Sequence, residues 1–240
     1  MFRTLLISAI SLLLSGCGGL LYPGNITLPH LEEAGDWQVL ANASFSPAAI
    51  GGQAQIAHAI NNDWGVQATA QVLTTPQFNL TEFDRHYGFE AGVIRMIKPL
   101  GEQHHGSTYM LQAGLGYSRS SLAFSFDPAL QFGQTHLFTQ AHSRTMISPD
   151  LGFSFGLRLG ASDRHWLEAP VKLSHRANDH FAIDYLNHQQ LFIFATPLLQ
   201  GEYNRGPYVV TFTIQPTFVI NQADLAPPTA PLTFGLRWNP

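Results

Sequence analysis

Ile147-Ser148-Pro149-Asp150-Leu151-Gly152-Phe153-Ser154-Phe155-Gly156-Leu157-Arg158-Leu159 is the stretch on which the fold turns. Ile147, Leu151, Phe153, Phe155, Leu157 and Leu159 make one row; Ser148, Asp150, Gly152, Ser154, Gly156 and Arg158 make the other. Successive side chains of an extended chain point to opposite faces, so this period of two reads as a strand with one apolar face. Alternation alone does not say which row points inward. A wall facing water wants interspersed Lys, Glu, Arg and Asp, whereas the polar row here is mostly glycine and serine. Small hydrogen-bonding residues suit a narrow, filled lumen, which leaves the apolar row to meet hydrocarbon.

The same pattern extends from Asp36 to the C-terminus. Trp37, Val39, Ala41, Ala43 and Phe45 form one row, and a second strand covers Gly52 to Ile60. After a tight turn at Asn61-Asn62-Asp63, Trp64, Val66, Ala68, Ala70 and Val72 alternate with Gly65, Gln67, Thr69 and Gln71. Further strands are expected from Tyr87 through Val93, over Tyr109–Tyr117 and Ile147–Leu159, and around Leu167–Leu173, Leu191–Tyr203, Tyr208–Ile220 and Leu232–Trp238. That is about ten strands, within a range of eight to twelve, in an all-β, closed antiparallel up-and-down membrane barrel. An even number returns both termini to one side.

Loop lengths point the same way. Short connections are expected at 61–63, 99–105, 160–164 and 204–206, alternating with longer ones at 75–86, 119–142, 177–189 and 222–229. Short periplasmic turns and longer external loops are the outer-membrane pattern. Trp37, Trp64 and Trp238 are expected as lipid-facing interface aromatics at the periplasmic ends, with Trp166 at the same end but in the wrong row. Pro149, Pro170, Pro197 and Pro216 fall inside expected strands, where each removes a ladder donor and marks a bulge or break.

The polar row supplies the candidate lumen residues Glu90, Asp150, Arg158, Glu168, Lys172, Glu202 and Arg237. Glu168 and Lys172 share a face but stand about 13 Å apart along a strand, so cross-strand partners are expected. A neutralised polar plug is the expected role of these groups. An open porin is not, because water channels come with about 16 to 18 strands.

Composition agrees. Charged residues are 12% of the 240, with Lys+Arg 12 against Asp+Glu 16 and a formal net charge of −4. The charged share is about half that of ordinary soluble domains, and no basic stripe points to nucleic acid. Beyond the leader no apolar run is long enough for a membrane helix, and a closed barrel is the other way to satisfy a spanning backbone.

The leader has Arg3 followed by an apolar run from Thr4 to Leu14, too short to span a bilayer. Leu14-Ser15-Gly16-Cys17 follows, and Cys17 is the only cysteine. This tetrad resembles a lipobox, the signature of bacterial lipoproteins. It implies that the Cys17 thiol takes a diacylglyceryl group and becomes N-terminal on cleavage. The expected organisation is a lipoprotein signal peptide over 1–16, a lipidated tether over 17–35 and the barrel over 36–240. Removal of the first sixteen residues leaves 240 − 16 = 224, which suits one large all-β unit.

Leu21-Tyr22-Pro23-Gly24-Asn25 through Asp36, with Ala57-His58-Ala59-Ile60-Asn61-Asn62-Asp63-Trp64-Gly65, is similar to a group of uncharacterised Gram-negative lipoproteins expected to form small outer-membrane barrels. The likeness covers about residues 14–70. It implies fold and location, and it carries no activity and no functional residues.

Chemistry finds little footing. Eleven histidines are present, but there is no HExxH and no Cys/His cluster with zinc spacing, so neither metal nor cofactor is expected. His104-His105 are expected in a turn, and His175 and His180 at an outer rim. Lys172-Leu173-Ser174-His175-Arg176-Ala177-Asn178-Asp179-His180 comes nearest to a rim lipid hydrolase. Ala177 stands where that chemistry needs a serine. Ser174 beside His175 and Ser143 beside His142 offer no substitute, since adjacent strand residues face opposite ways. No catalytic residue is assigned. The expected role is that of a lipid-anchored outer-membrane barrel acting structurally or by interaction. Outer-membrane lipid surrounds it, and loops 119–142 and 177–189 would meet lipopolysaccharide or a surface partner. The other readings are a small-solute or lipid conduit, a rim hydrolase, and a tethered soluble lipid-binding barrel.

Overall fold

Residues 28–45, 50–76, 83–97, 107–124, 127–166, 190–221 and 232–239 are described in this computed structural model. They form β1 (Trp37–Phe45), β2 (Ile50–Ala59), β3 (Trp64–Pro76), β4 (Phe83–Ile97), β5 (Ser107–Phe124), β6 (Asp127–Ser148), β7 (Leu151–Trp166), β8 (Gln190–Arg205), β9 (Tyr208–Ile214), β10 (Phe218–Val219) and β11 (Leu232–Trp238). Chain neighbours pair antiparallel, and β11 closes the sheet against β1, from Val39 opposite Trp238 to Phe45 opposite Leu232.

β9 and β10 are two stretches of one stave. Ile214 pairs with Leu199 and Phe218 with Ala195, which is a single register along β8. The barrel therefore has ten staves. The gap holds Pro216, and the shared register places Pro197 of β8 directly opposite it. Two residues that cannot donate to a ladder are thus concentrated at one joint.

The apolar row faces outward on the long staves other than β6, whose outward face mixes Leu137 with threonine, alanine and serine. Val72, Phe89, Val93, Leu115, Leu137, Phe155, Leu157, Leu191, Val210 and Leu236 are all exposed, while Gln55, Gln67, Gln112, Gln134, Gln140, Ser154, Gln200 and Thr213 are buried between them in sequence. A soluble protein buries the first set and wets the second. This barrel is inverted, and its wall is one that belongs in hydrocarbon. Trp37, Trp64 and Trp238 are exposed at the end that carries the 60–63 and 206–207 turns, the near end of the cylinder.

Inside, bulky side chains of β6 and β8 lean over glycines of their neighbours. A Cβ on Gly114 would stand 2.6 Å from Phe138 Cζ, and one on Gly160 would collide with Phe194. Gly116 makes the same room for His136, and Gly156 for His142 and Leu198. The glycines of the polar row are therefore sockets for the side chains that fill the bore.

Several expectations change. Ile147–Leu159 is not one strand: Pro149 and Asp150 form the turn between β6 and β7, so the proline sits where a missing donor costs nothing. Residues 119–142 are not a long loop, because β5 runs to Phe124 and β6 starts at Asp127. β6 is hard to see in the sequence because its outward row includes Thr135, Thr139, Ala141, Ser143 and Thr145, which blunts the contrast with its inward row. Likewise 160–164 is not a turn but part of β7, which puts Trp166 at the far end rather than the near one. The 75–86 connection also shrinks, since β3 reaches Pro76 and β4 begins at Phe83. The strand expected around Leu167–Leu173 lies outside the described residues, as do the connections at 99–105, 177–189 and 222–229.

The staves differ in length. β5 has 18 residues and β6 has 22, against 9 in β1 and 7 in β11. About 9 to 11 residues cross a bilayer, so the β5–β6 hairpin extends well past the apolar band at the far end.

Candidate functional site

Two ion clusters occupy the bore. Deeper in, Glu90 of β4 accepts from Arg158 Nη2 of β7 at 2.8 Å, and His136 Nε2 of β6 lies 2.8 Å from the same Oε1. The Arg158 guanidinium also stacks on the Phe138 ring, 3.7 Å from its centroid. These residues share a level because Glu90 pairs with Gly116 on β5 and Gly116 with His136 on β6. That glycine lets the imidazole pass over β5 to reach the carboxylate. His86 stands above it on β4, with Nε2 3.4 Å from Gln71 Nε2.

Near the entry end, Glu202 of β8 is held by two arginines. Arg144 Nε of β6 donates to its Oε2 at 2.8 Å, and Arg237 Nη2 of β11 donates to it at 3.1 Å. Gln200 Nε2 donates to Oε1 at 2.8 Å. A buried carboxylate between two guanidiniums is well paired but leaves one positive charge over.

That charge is met from outside the staves. The chain enters β1 through residues 28–36, the end of the segment expected as tether; the side chains of Leu28 to Leu31 are buried in the barrel mouth, and residues 32–35 are exposed. Leu31 packs in a cluster with Ala57, Ala59, Ile94, Met96 and Met110. His30 N donates to Gln38 Oε1 at 2.6 Å, its Nε2 meets Arg144 Nη1, and Glu32 Oε1 lies 2.8 Å from that imidazole nitrogen. Glu32 also stands 3.7 Å from Arg144 Nη1. His142 Nε2 donates to Pro29 O at 3.3 Å, and Leu28 packs against Leu198. Asp36 Oδ2 fixes the bend by accepting from the backbone N–H of Glu32 and Glu33, and Gly35 adopts φ +91°, where a Cβ is strained.

His30 and Glu32 lie outside the spanning strands. Burial pushes the His30 imidazole below its ordinary value, with Arg144 and Arg237 adding to the shift and Glu32 and Glu202 opposing it. The hydrogen bond to His30 holds the Glu32 carboxyl below the usual carboxylate range. The entry segment leaves part of the mouth open as a polar pocket of about 470 Å³ lined by His30, Glu32, Arg144, Asp150, Asn204 and Asn239 among others.

Of the residues expected in the lumen, Glu90, Arg158, Glu202 and Arg237 are buried inside it, divided between the two clusters. Asp150 is not: it sits in the exposed β6–β7 turn, since the strand that would have carried it inward ends two residues earlier. Glu168 and Lys172 lie outside the described residues, as do Cys17, His104, His105 and the 172–180 segment. Sequence reasoning misses Arg144, His136 and His30, because β6 reads as loop and residue 30 as tether. Among the described residues no group of three His, Cys, Asp or Glu side chains is placed to hold a metal ion.

No protein-family model matches the chain, and no curated protein matches it. Among solved structures it is similar to the translocator domain of the autotransporter NalP from Neisseria meningitidis, at 8% identity over 99% of this chain and 94% of that one, with a TM-score of 0.47. An outer membrane channel from Pseudomonas putida F1 is similar at 6% identity over 91% and 99%, with a TM-score of 0.43. The NanC porin is similar at 11% identity over 85% and 98%, with a TM-score of 0.38.

Proposed function

We propose that this chain is a lipid-anchored outer-membrane β-barrel that acts as a sealed scaffold, without catalysis, and meets its partners at the far end. The observation that carries this reading is the state of the lumen charges. Arg158 and Arg237 are each 1% exposed, whereas a water-filled channel wets the charged groups that line it. Glu90 neutralises Arg158, and Glu202 with Glu32 balances Arg144 and Arg237. The mouth is occupied by the chain's own residues 28–36. Such an interior holds a cylinder rigid.

The contact surface in this reading is the projecting β5–β6 hairpin, which takes the place of the loop expected over 119–142. Lipopolysaccharide or a surface protein is the partner class, and the lipobox-like Leu14-Ser15-Gly16-Cys17 supports the anchor.

Planar-bilayer recordings test the seal. Purified protein is expected to give no steady conductance steps above baseline; sustained steps would establish a conduit instead. Heat-dependent gel mobility of carbonate-washed membranes from cells carrying Cys17→Ala tests integration. A folded-form band retained in the membrane pellet is expected, and release of the protein would mean a tethered soluble barrel.

A further inference from the structure

On the outer wall β6 is the low stave. Ala141 and Ser143 face outward there, between Tyr109 and Leu111 of β5 on one side and Phe155 and Leu157 of β7 on the other. The four flanking side chains are exposed and stand above the two small ones. The result is a trench of about 410 Å³ in the hydrocarbon face, opening close to the near end, where β5 begins at Ser107. That volume lies in the range of small-molecule sites, about 300–1,000 Å³.

The rim of the trench is polar on the near-end side. Ser107 and Thr145 pair across β5 and β6, two residues nearer the end than Tyr109 and Ser143, and Ser107 Oγ lies 3.1 Å from Thr145 Oγ1. Their hydrogen bond uses one hydroxyl proton and leaves the other free. Ile97 of β4 lines the trench, and Arg95 stands two residues along on the same outward face. The Arg95 guanidinium lies over the exposed Trp64 ring, 4.7 Å from its centroid. Among the described residues no ion pair includes Arg95. An exposed cation without a carboxylate, laid on an interface aromatic beside an apolar trench, is complementary to a phosphate that carries a hydrocarbon tail.

We propose that this trench holds an acyl chain of one phospholipid from the near-end leaflet, with the lipid phosphate on Arg95. Neither the anchor nor the seal of the lumen enters into this; it needs only a wall that meets hydrocarbon. Arg95 donates to the phosphate oxygens, and the free hydroxyl proton of the Ser107–Thr145 pair is donated to an ester carbonyl at the interface. The tail lies along β6 over Ser143 and Ala141. Thr139 follows them on the same face, between Ala113 and Leu159, so the low strip continues toward the middle of the wall.

A second copy of the chain fits this surface poorly. A two-fold pair makes one patch meet itself, and trench against trench encloses a void. Close van der Waals packing is what draws spanning segments together in lipid, and a void forfeits it. A flexible tail fills the trench from one side.

Native mass spectrometry of the detergent-purified full chain tests the site. Delipidated protein is titrated with dioleoylphosphatidylglycerol, or with dioleoylglycerol, which has the same tails and no phosphate. The parent is expected to retain one phosphatidylglycerol per barrel and to hold dioleoylglycerol about tenfold less well, the worth of a charge-assisted hydrogen bond. Arg95→Gln should weaken phosphatidylglycerol retention by a similar factor, and Ala141→Phe, which fills the trench, should weaken it several-fold. Val210→Phe, on the outward face of β9, should leave it unchanged. Heat-dependent gel mobility shows that each variant is folded, and Ser143→Leu takes the place of Ala141→Phe if that variant is not. Retention equal to the parent in either Arg95→Gln or the trench-filling variant overturns the proposal, as does an equal loss in Val210→Phe. A dimer that Ala141→Phe splits, with no lipid retained by the parent, overturns it too and gives the trench to a second copy.

Discussion

Gly65 lies beneath Leu31: a β-carbon added to this glycine would stand 2.8 Å from Leu31 Cδ1 and 2.7 Å from the backbone oxygen of His58. The entry segment therefore fits only because β3 lacks a side chain at this point. Gly65→Val should expel Leu31 from its cluster while the outward face of β3 is untouched. With Leu28→Cys and Leu198→Cys as reporters, a short bismaleimide should cross-link the parent barrel and link the Gly65→Val variant several-fold less. Equal yields in both would show that the segment is not seated where it is described.

Acid should loosen the same segment. A histidine whose buried form resists protonation is destabilising once its released form takes up a proton, so the contribution is complete above about pH 6.5 and falls as pH drops below it. The Glu32 contribution has the carboxylate sign: it is present above about 4.5 and is lost as pH falls further. Cross-linking between positions 28 and 198 should decline in two steps across these ranges. His30→Gln should remove the upper step and shrink the lower, since His30 is the chief support of the Glu32 carboxylate. A flat yield from about pH 8 to about pH 4 would contradict this.

Glu202 should matter more than Glu90. Glu202→Gln takes from Arg237 its carboxylate partner and leaves Arg144 only the exposed Glu32 at 3.7 Å, whereas Glu90→Gln strands Arg158 alone. Breaking a buried pair from one side costs about 3–5 kcal/mol. Urea unfolding in lipid vesicles should place the Glu202→Gln variant below the Glu90→Gln variant, and both below the parent. The reverse order would mean that Glu32 alone is enough to balance the lower cluster.

The outer wall gives a depth test. Leu115 sits midway along β5 and faces outward, and Trp238 faces outward at the near end. Arginine at a membrane midplane costs about 2–4 kcal/mol, falling to about 0–1 kcal/mol near the interface. Leu115→Arg should therefore destabilise the barrel clearly more than Trp238→Arg. Equal and negligible losses would be the result for a wall that faces water.

How much of this is legible in the sequence follows from what each residue has to contrast with. Leu151–Leu159 reads as a strand because bulky apolar residues alternate with glycine, serine and one arginine. β6 does not, because Thr139, Ala141 and Ser143 on its outer face resemble the Gln140 and His142 of its inner face in polarity. The expected count of ten agrees with the structure, though with β6 unseen and a strand around Leu167–Leu173 in its place. Glu90, Arg158, Glu202 and Arg237 fall in the polar row from parity alone. Their partners do not, since Glu90 and His136 lie 46 positions apart and meet only once the register across β5 is known. Nor does any periodicity mark residues 28–31 as interior, because the segment makes no ladder and is held by contacts specific to this mouth.

Pro197 and Pro216 face one another across the joint between β8 and the β9–β10 stave, at the site where that stave is interrupted. No other pair of facing prolines occurs among the described strands. Under lateral pressure from the bilayer, a hoop gives way first at its thinnest link, and here that link is a fixed place. Amide exchange should begin beside it, at Ala195 and Phe218, before it reaches the opposite wall.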